Sequence, residues 1–220
     1  ADVTNDHLTP LCSDVESRLT QIIQDQIEGY WNNTAQGSTE RAARELKIEQ
    51  DEHKRFGRER GAEDSFVGRQ AELQEILDYV RNDSPWPLVV YGSSGCGKTA
   101  LLARAAGELQ KSDVSGQKPE AVVRFIGVTP RSSDVRSLLG SLCQELRLWH
   151  PREGELPADT KALREELHEQ FRSATPEQPL ILFLDALDQL SDADGGRLLN
   201  WIPAGSLPGD VKLVVSCLSD

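Results

Sequence analysis

The 220-residue sequence has no methionine, few aromatic residues (5%) and no apolar run that approaches membrane-spanning length. A transmembrane helix needs about 20 consecutive apolar residues, and the N-terminus lacks the basic and apolar regions of a signal peptide, so neither is expected. Basic charge is short as well: 24 Lys and Arg stand against 36 Asp and Glu, for a formal net charge of −12. That balance argues against a chain that coats nucleic acid or an anionic membrane surface, and any phosphate site must be local. The four cysteines, Cys12, Cys96, Cys143 and Cys217, are widely spread. They form no C-x-x-C pair and have no histidine at ligand spacing, so neither a zinc site nor a disulfide framework is indicated. Reduced thiols and a soluble, cytoplasmic setting are expected. With alanine at position 1 and no methionine, the sequence reads as an internal piece of a longer protein.

What is present supports a buried core, since 38% of residues are hydrophobic and 17 are glycine. Over residues 1–39, Leu11, Val15, Leu19, Ile22, Ile23, Ile27 and Tyr30 recur at helical spacing. Thr9-Pro10 serves as cap and first helical residue, with Ser13 and Glu16 as a capping box, so a helix is expected over roughly 11–30. Its apolar stripe suits a packing face for a neighbouring domain or a partner-binding helix. A polar break from Asn32 to Thr39 follows. Residues 40–60 then hold 13 charged side chains of both signs, the pattern of a solvated connecting helix, with His53 and Phe56 placed to pack on the domain after it.

From Phe66 the pattern changes to strands alternating with helices. The segments PLVVYG, AVVRFIGV, LILFLDAL and VKLVVSC read as buried strands. The helices between them are AELQEILDYV, TALLARAAGEL, SSDVRSLLGSLCQEL with Leu138, Leu139, Leu142 and Leu146 on one side, and residues 161–173. Such alternation predicts an α/β fold, a mostly parallel sheet covered by helices on both faces. The expected organisation is an N-terminal helical segment over 1–39, a charged linker over 40–64 and a nucleotide-binding domain over 65–220.

Within that grammar, Gly92-Ser93-Ser94-Gly95-Cys96-Gly97-Lys98-Thr99 fits the phosphate-loop pattern G-x-x-x-x-G-K-[ST], with a strand before it and a helix after it, and these residues with the adjoining Ala100 are nucleotide-binding candidates. A chance match in a sequence of this length is on the order of 0.01. Glycines let backbone N–H groups converge on phosphate oxygens, and the helix N-terminus adds partial positive charge. Lys98 is expected on the β- and γ-phosphates of a nucleoside triphosphate and Thr99 on Mg²⁺. Asp185, ending LILFLD, supplies the carboxylate that such a site needs for the metal. Asp188 is a candidate general base for an attacking water, or else a turn cap. Ser216, ending the last strand, either senses the γ-phosphate or merely closes the strand, and Arg131 is expected to meet solvent. Cys96 lies inside the loop, where modification of the thiol would block nucleotide.

These motifs resemble the NACHT branch of the STAND class of AAA+-related P-loop NTPases. Phe66-Val67-Gly68-Arg69 looks like the adenine-contacting motif of that class and of origin-recognition-type AAA ATPases, which makes Val67, Gly68 and Arg69 nucleotide-binding candidates. DALDQL resembles the second NACHT motif, with Ala186 after the Mg²⁺ aspartate and Asp188 as a further acid. Gln189 stands where a glutamate is more usual, and Ser216-Cys217-Leu218 lacks the arginine with which many relatives end that strand. The stretch from Glu52 to Arg69 is similar to the linker entering the NACHT domain of WD-repeat-bearing members, the telomerase-associated and nephrocystin-like group.

The resemblance implies a sheet of order 5-1-4-3-2 whose fifth strand falls outside these residues. It also implies an ATP/ADP-dependent, slowly hydrolysing switch that self-associates and answers to a protein trigger read by C-terminal repeats. An ATP-binding scaffold without turnover and an origin-recognition-type ATPase domain are the alternatives. Guanine is disfavoured by the absence of an N-K-x-D motif, and the acidic balance makes a nucleic-acid partner unexpected for this segment.

Overall fold

Strand β3 (Leu180–Asp185) is buried along its whole length, and its alternation builds the molecule. Leu180, Leu182 and Leu184 join one apolar cluster, while Ile181 and Phe183 join another on the opposite face. Successive strand residues point to opposite sides of a sheet, so a continuous apolar strand requires cover on both. The computed structural model of the protein describes residues 9–63, 66–111, 121–203 and 205–219. Strands β1 (Leu88–Gly92), β2 (Ala121–Phe125), β3 and β4 (Val211–Leu218) form one parallel sheet in the order β1-β4-β3-β2.

Helices α2 (Gln70–Arg81) and α3 (Lys98–Lys111) bury Ile76, Tyr79, Leu101, Leu102 and Leu109 on one face of the sheet. Helices α4 (Val135–Trp149) and α5 (Thr160–Arg172) cover the other with Leu138, Leu139, Leu142, Leu146, Leu163 and Phe171. Both of the latter begin at an aspartate that accepts a hydrogen bond from the third residue onward, Asp134 from Ser137 N–H at 2.8 Å and Asp159 from Ala162 N–H at 2.9 Å. The three-layer α/β architecture is therefore as the sequence predicts, and the order β1-β4-β3-β2 is the one the resemblance implies for these four strands.

The chain falls into two units, Ala1–Lys47 and Ile48–Asp220. The first described element, helix α1, runs Thr9–Arg60. This corrects the expectation of a break over Asn32 to Thr39, which is helical. No proline interrupts that stretch, and Gly37 with its polar neighbours costs only about 1 kcal/mol or less per residue in a helix. Ser13 and Glu16 lie inside α1, and their side chains are outside the described residues. Within the first unit, Val15, Leu19, Ile22 and Ile23 are 46–54% exposed. Within the second, the charged end of α1 is less solvated than its composition suggests, since Glu49 and His53 are buried.

Candidate nucleotide site

The connection between β1 and α3 is only residues 93–97, and it turns on two glycines. Gly95 and Gly97 take φ of 76° and 90°, in the left-handed region that costs glycine nothing. The loop tip of Ser93, Ser94, Gly95 and Cys96 is exposed. Helix α3 starts immediately behind it, so the unpaired N–H groups of its first turn and its positive end face the loop. Lys98 is buried. Its ammonium donates to the carbonyls of Gly92 at 2.7 Å and Ser93 at 3.0 Å, and lies 3.9 Å from Cys96 Sγ. Ala100 is half-buried in the first turn of α3.

The sheet brings the second motif to the same place. Asp185 ends β3 and is 3% exposed. Its Oδ2 accepts from the Thr99 hydroxyl at 2.7 Å and its Oδ1 from the Ser216 hydroxyl at 2.5 Å. Ser216 in turn accepts from Ala186 N–H at 2.8 Å. Ser216 is fully buried, and its hydroxyl is spent on orienting Asp185. Ala186 adopts φ 60°, a costly conformation for alanine that swings the chain off the strand into the 3-10 turn Leu187–Gln189. In that turn Asp188 accepts from Leu218 N–H at 3.1 Å.

A cavity of about 380 Å³ opens beside Thr99 and Asp185, walled also by Ala186 and Gln189, with Phe125, Ile126, Gly127 and Val128 as its floor. Asp188 is not among its lining residues; Gln189 is. Gly127 takes φ 89°, a conformation that strains any residue with a Cβ, and a side chain there would also displace the Gln189 amide. The opposite wall is Glu52, Arg55, Phe56 and Glu59, one face of α1 at helical spacing. A larger cavity of about 930 Å³, between α1, α3 and β2, contains none of the motif residues.

Two buried side chains lock that wall down. His53 Nδ1 accepts from Phe125 N–H at 3.1 Å, which leaves Nε2–H to donate to Glu49 at 2.9 Å. Glu49 also accepts from the Thr129 hydroxyl at 2.8 Å. Burial alone would push its carboxyl up, but these hydrogen bonds and the nearby Arg124 charge hold it below its ordinary value. Phe56 packs on Phe125 with ring centroids 5.1 Å apart.

The remaining predicted residues fall on both sides of the loop. Gly68 takes φ 84°, and the Arg69 guanidinium donates to the Cys96 carbonyl at 2.9 Å while its Nε donates to Glu72 at 3.2 Å. The FVGR segment is thus tied to the phosphate loop. Val67 is 83% exposed, and Arg131 is exposed. The structure unites Arg69, residues 92–100, Asp185 and Ser216, and sets Asp188 just behind the cavity wall. Sequence reasoning did not find Glu52, Arg55 and Glu59 as part of this wall. The one available signal was their spacing around Phe56.

The AAA ATPase domain family matches residues 65–205. The chain belongs to the AAA ATPase domain family. As a member, it is a nucleotide-binding ATPase module. It is 39% identical over 137 residues to NACHT and WD repeat domain-containing protein 2 of Mus musculus, covering 60% of this chain and 8% of that protein. It is 32% identical over 164 residues to NACHT domain- and WD repeat-containing protein 1 of Homo sapiens, covering 70% and 10%. Telomerase protein component 1 of Mus musculus is 34% identical over 137 residues, covering 60% and 5%. This AAA ATPase domain therefore spans a tenth or less of the length of these relatives, and they agree with the NACHT-class reading of DALDQL and FVGR. Among solved structures it bears a loose likeness to the Aeropyrum pernix Orc1 protein in complex with DNA (TM-score 0.48, 19% identity, 71% of this chain and 40% of that one).

Proposed function

We propose that this AAA ATPase domain binds Mg·ATP and hydrolyses it slowly, as the nucleotide switch of a larger NACHT-class protein. One observation carries the reading: the Thr99 hydroxyl, directly after the loop lysine, meets the Asp185 carboxylate at 2.7 Å across 86 residues of chain. A hydroxyl and a carboxylate converging beside a phosphate loop are hard oxygen donors that suit Mg²⁺. Among the described residues, no group of three or more His, Cys, Asp or Glu side chains is arranged to hold a metal. That fits an ion held largely by the nucleotide's phosphates and water, with one or two protein oxygens. When bound, Mg²⁺ would neutralise charge on the β- and γ-phosphates.

In this reading the loop N–H groups and Lys98 hold the phosphates, and Arg69 braces the loop through Cys96. Ser216 fixes the orientation of Asp185, which would hold the metal. The resemblance assigns Val67 and Gly68 to the adenine. Asp188 would serve as the base for the attacking water only on leaving Leu218 N–H and turning into the cavity, and that engagement, together with Gln189 at the cavity, supports slow turnover. The same two features favour a second reading, a scaffold that binds ATP without hydrolysing it. The NACHT-class resemblance implies a cytoplasmic switch whose nucleotide state governs self-association, and this reading adopts it.

The test compares Mg·ATP binding and phosphate release in the wild-type chain, Lys98→Ala and Asp188→Asn. Lys98→Ala is expected to lower affinity about 100-fold or more, as loss of a charge-assisted phosphate contact does. Asp188→Asn is expected to keep affinity and lose turnover. Binding indifferent to Lys98 would refute the site, and a wild type that binds without turnover would establish the scaffold.

A further inference from the structure

We propose that Arg55 is the residue that distinguishes ATP from ADP, by leaving Glu52 and pairing with the γ-phosphate. The proposal rests on the Mg·ATP reading above and names a residue that the motifs do not contain. Arg55 lines the cavity that opens at Thr99 and Asp185, and it is the one basic side chain among the described residues that do so. Glu52, Glu59 and Asp185 line it too, so a cation from this wall would add to Lys98 and the metal in offsetting the charge around a terminal phosphate. Lys98 sits across the loop on the Gly92 and Ser93 carbonyls. Strand β4 ends in Ser216, Cys217 and Leu218, with no basic side chain to offer.

The position of Arg55 is set by its neighbours. Two residues before it, His53 is buried and bonded to Phe125 N–H at the end of β2. One residue after it, Phe56 stacks against the Phe125 ring. Phe125 pairs with Asp185 in the β2–β3 register. The backbone at position 55 is therefore fixed relative to the carboxylate that would hold the metal, while the arginine side chain is 65% exposed and held by Glu52.

Its present partner is easily exchanged. Arg55 donates to Glu52 in an exposed i, i+3 pair, and such pairs are weak. A γ-phosphate offers more negative charge and the paired oxygens that a guanidinium grips in bidentate fashion. ADP lacks that group, so with ADP bound Arg55 stays on Glu52. The exchange would register nucleotide state on the end of α1 directly.

The experiment measures affinities of the full chain for Mg·ADP and for a non-hydrolysable Mg·ATP analogue by titration calorimetry. Arg55→Ala is expected to weaken the ATP analogue about tenfold, the size of one charge-assisted contact, and to leave ADP within about twofold. Glu52→Gln frees the guanidinium and is expected to move the preference the other way, about threefold towards the ATP analogue. A merely structural role would shift both variants and both nucleotides together. Lys98-dependent binding with an unchanged ATP-to-ADP ratio in Arg55→Ala overturns the assignment of Arg55 alone. Wild-type binding that ignores Lys98 overturns the nucleotide site and this proposal with it.

Discussion

The phosphate loop, whose last residue Thr99 lines the cavity, and the junction between α1 and the end of β2, which carries the wall of Glu52, Arg55, Phe56 and Glu59, are built in opposite ways. The loop is eight consecutive residues whose tip is exposed and whose shape comes from glycines at positive φ. The junction joins Glu49 and His53 to Phe125 and Thr129, 72 to 80 positions away, and buries the polar groups it uses. An exposed loop leaves its N–H groups to solvent until an anion arrives. A buried junction has no such freedom, because each donor and acceptor taken from water must find a partner within the protein. The difference teaches that the ligand-binding wall spends little on stability, whereas the wall that positions Arg55 is part of the fold itself.

The sharpest way to break this contrast is to remove one residue from each side. His53→Ala leaves Phe125 N–H and the Glu49 carboxylate without their buried partner, which costs about 3 kcal/mol and lowers Tm by about 6–10 °C. Lys98→Ala is expected to move Tm by less than about 2 °C. Calorimetric melting of both variants decides the matter, and equal losses would erase the distinction.

A smaller effect is expected from acid. The Glu49 carboxyl is held below its unfolded value of 4.5 in the fold, so its contribution to stability is present above that value. It is lost as pH falls through the lower folded value. Denaturation followed between pH 6 and 3 should show the wild type losing more stability than Glu49→Gln. Parallel curves would place the acid sensitivity elsewhere.

The smallest effect concerns thiols. Cys96 is exposed in the loop, while Cys143 is buried in α4 with its thiol pushed up to about 12, first by burial and then by the Glu166 charge. Iodoacetamide at pH 8 should modify Cys96, more slowly when nucleotide is bound, and spare Cys143 until the chain unfolds. Mass spectrometry of the alkylated peptides reads both. Full modification at Cys96 with nucleotide binding intact would separate the thiol from the site.

How much was legible depended on whether the signal was local. Four apolar segments became β1 to β4, and Leu138, Leu139, Leu142 and Leu146 became the buried face of α4, because periodicity reports burial directly. The phosphate loop was legible for the same reason: its function needs particular residues at consecutive positions. The end of α1 misled only in part: His53 and Phe56 pack on Phe125 as expected, but 13 charges in 21 residues look solvated, and Glu49 is nevertheless buried. Charge density says nothing about whether a partner is waiting 80 residues away. The stretch from Asn32 to Thr39 misled in the other direction, since weak helix formers lower helix propensity without breaking the helix.

The sequence by itself determined the α/β class, the phosphate-loop pattern between a strand and a helix, and the strand-end aspartate that Thr99 meets. Each follows from spacing along the chain, where backbone geometry leaves few alternatives. The tertiary structure alone decided that Ser216 orients Asp185, that Gln189 and not Asp188 meets the cavity, and that Arg55 faces it from α1. Those outcomes depend on which buried groups satisfy one another across the sheet, and hydrogen-bond satisfaction between distant segments leaves no periodic mark in a single sequence.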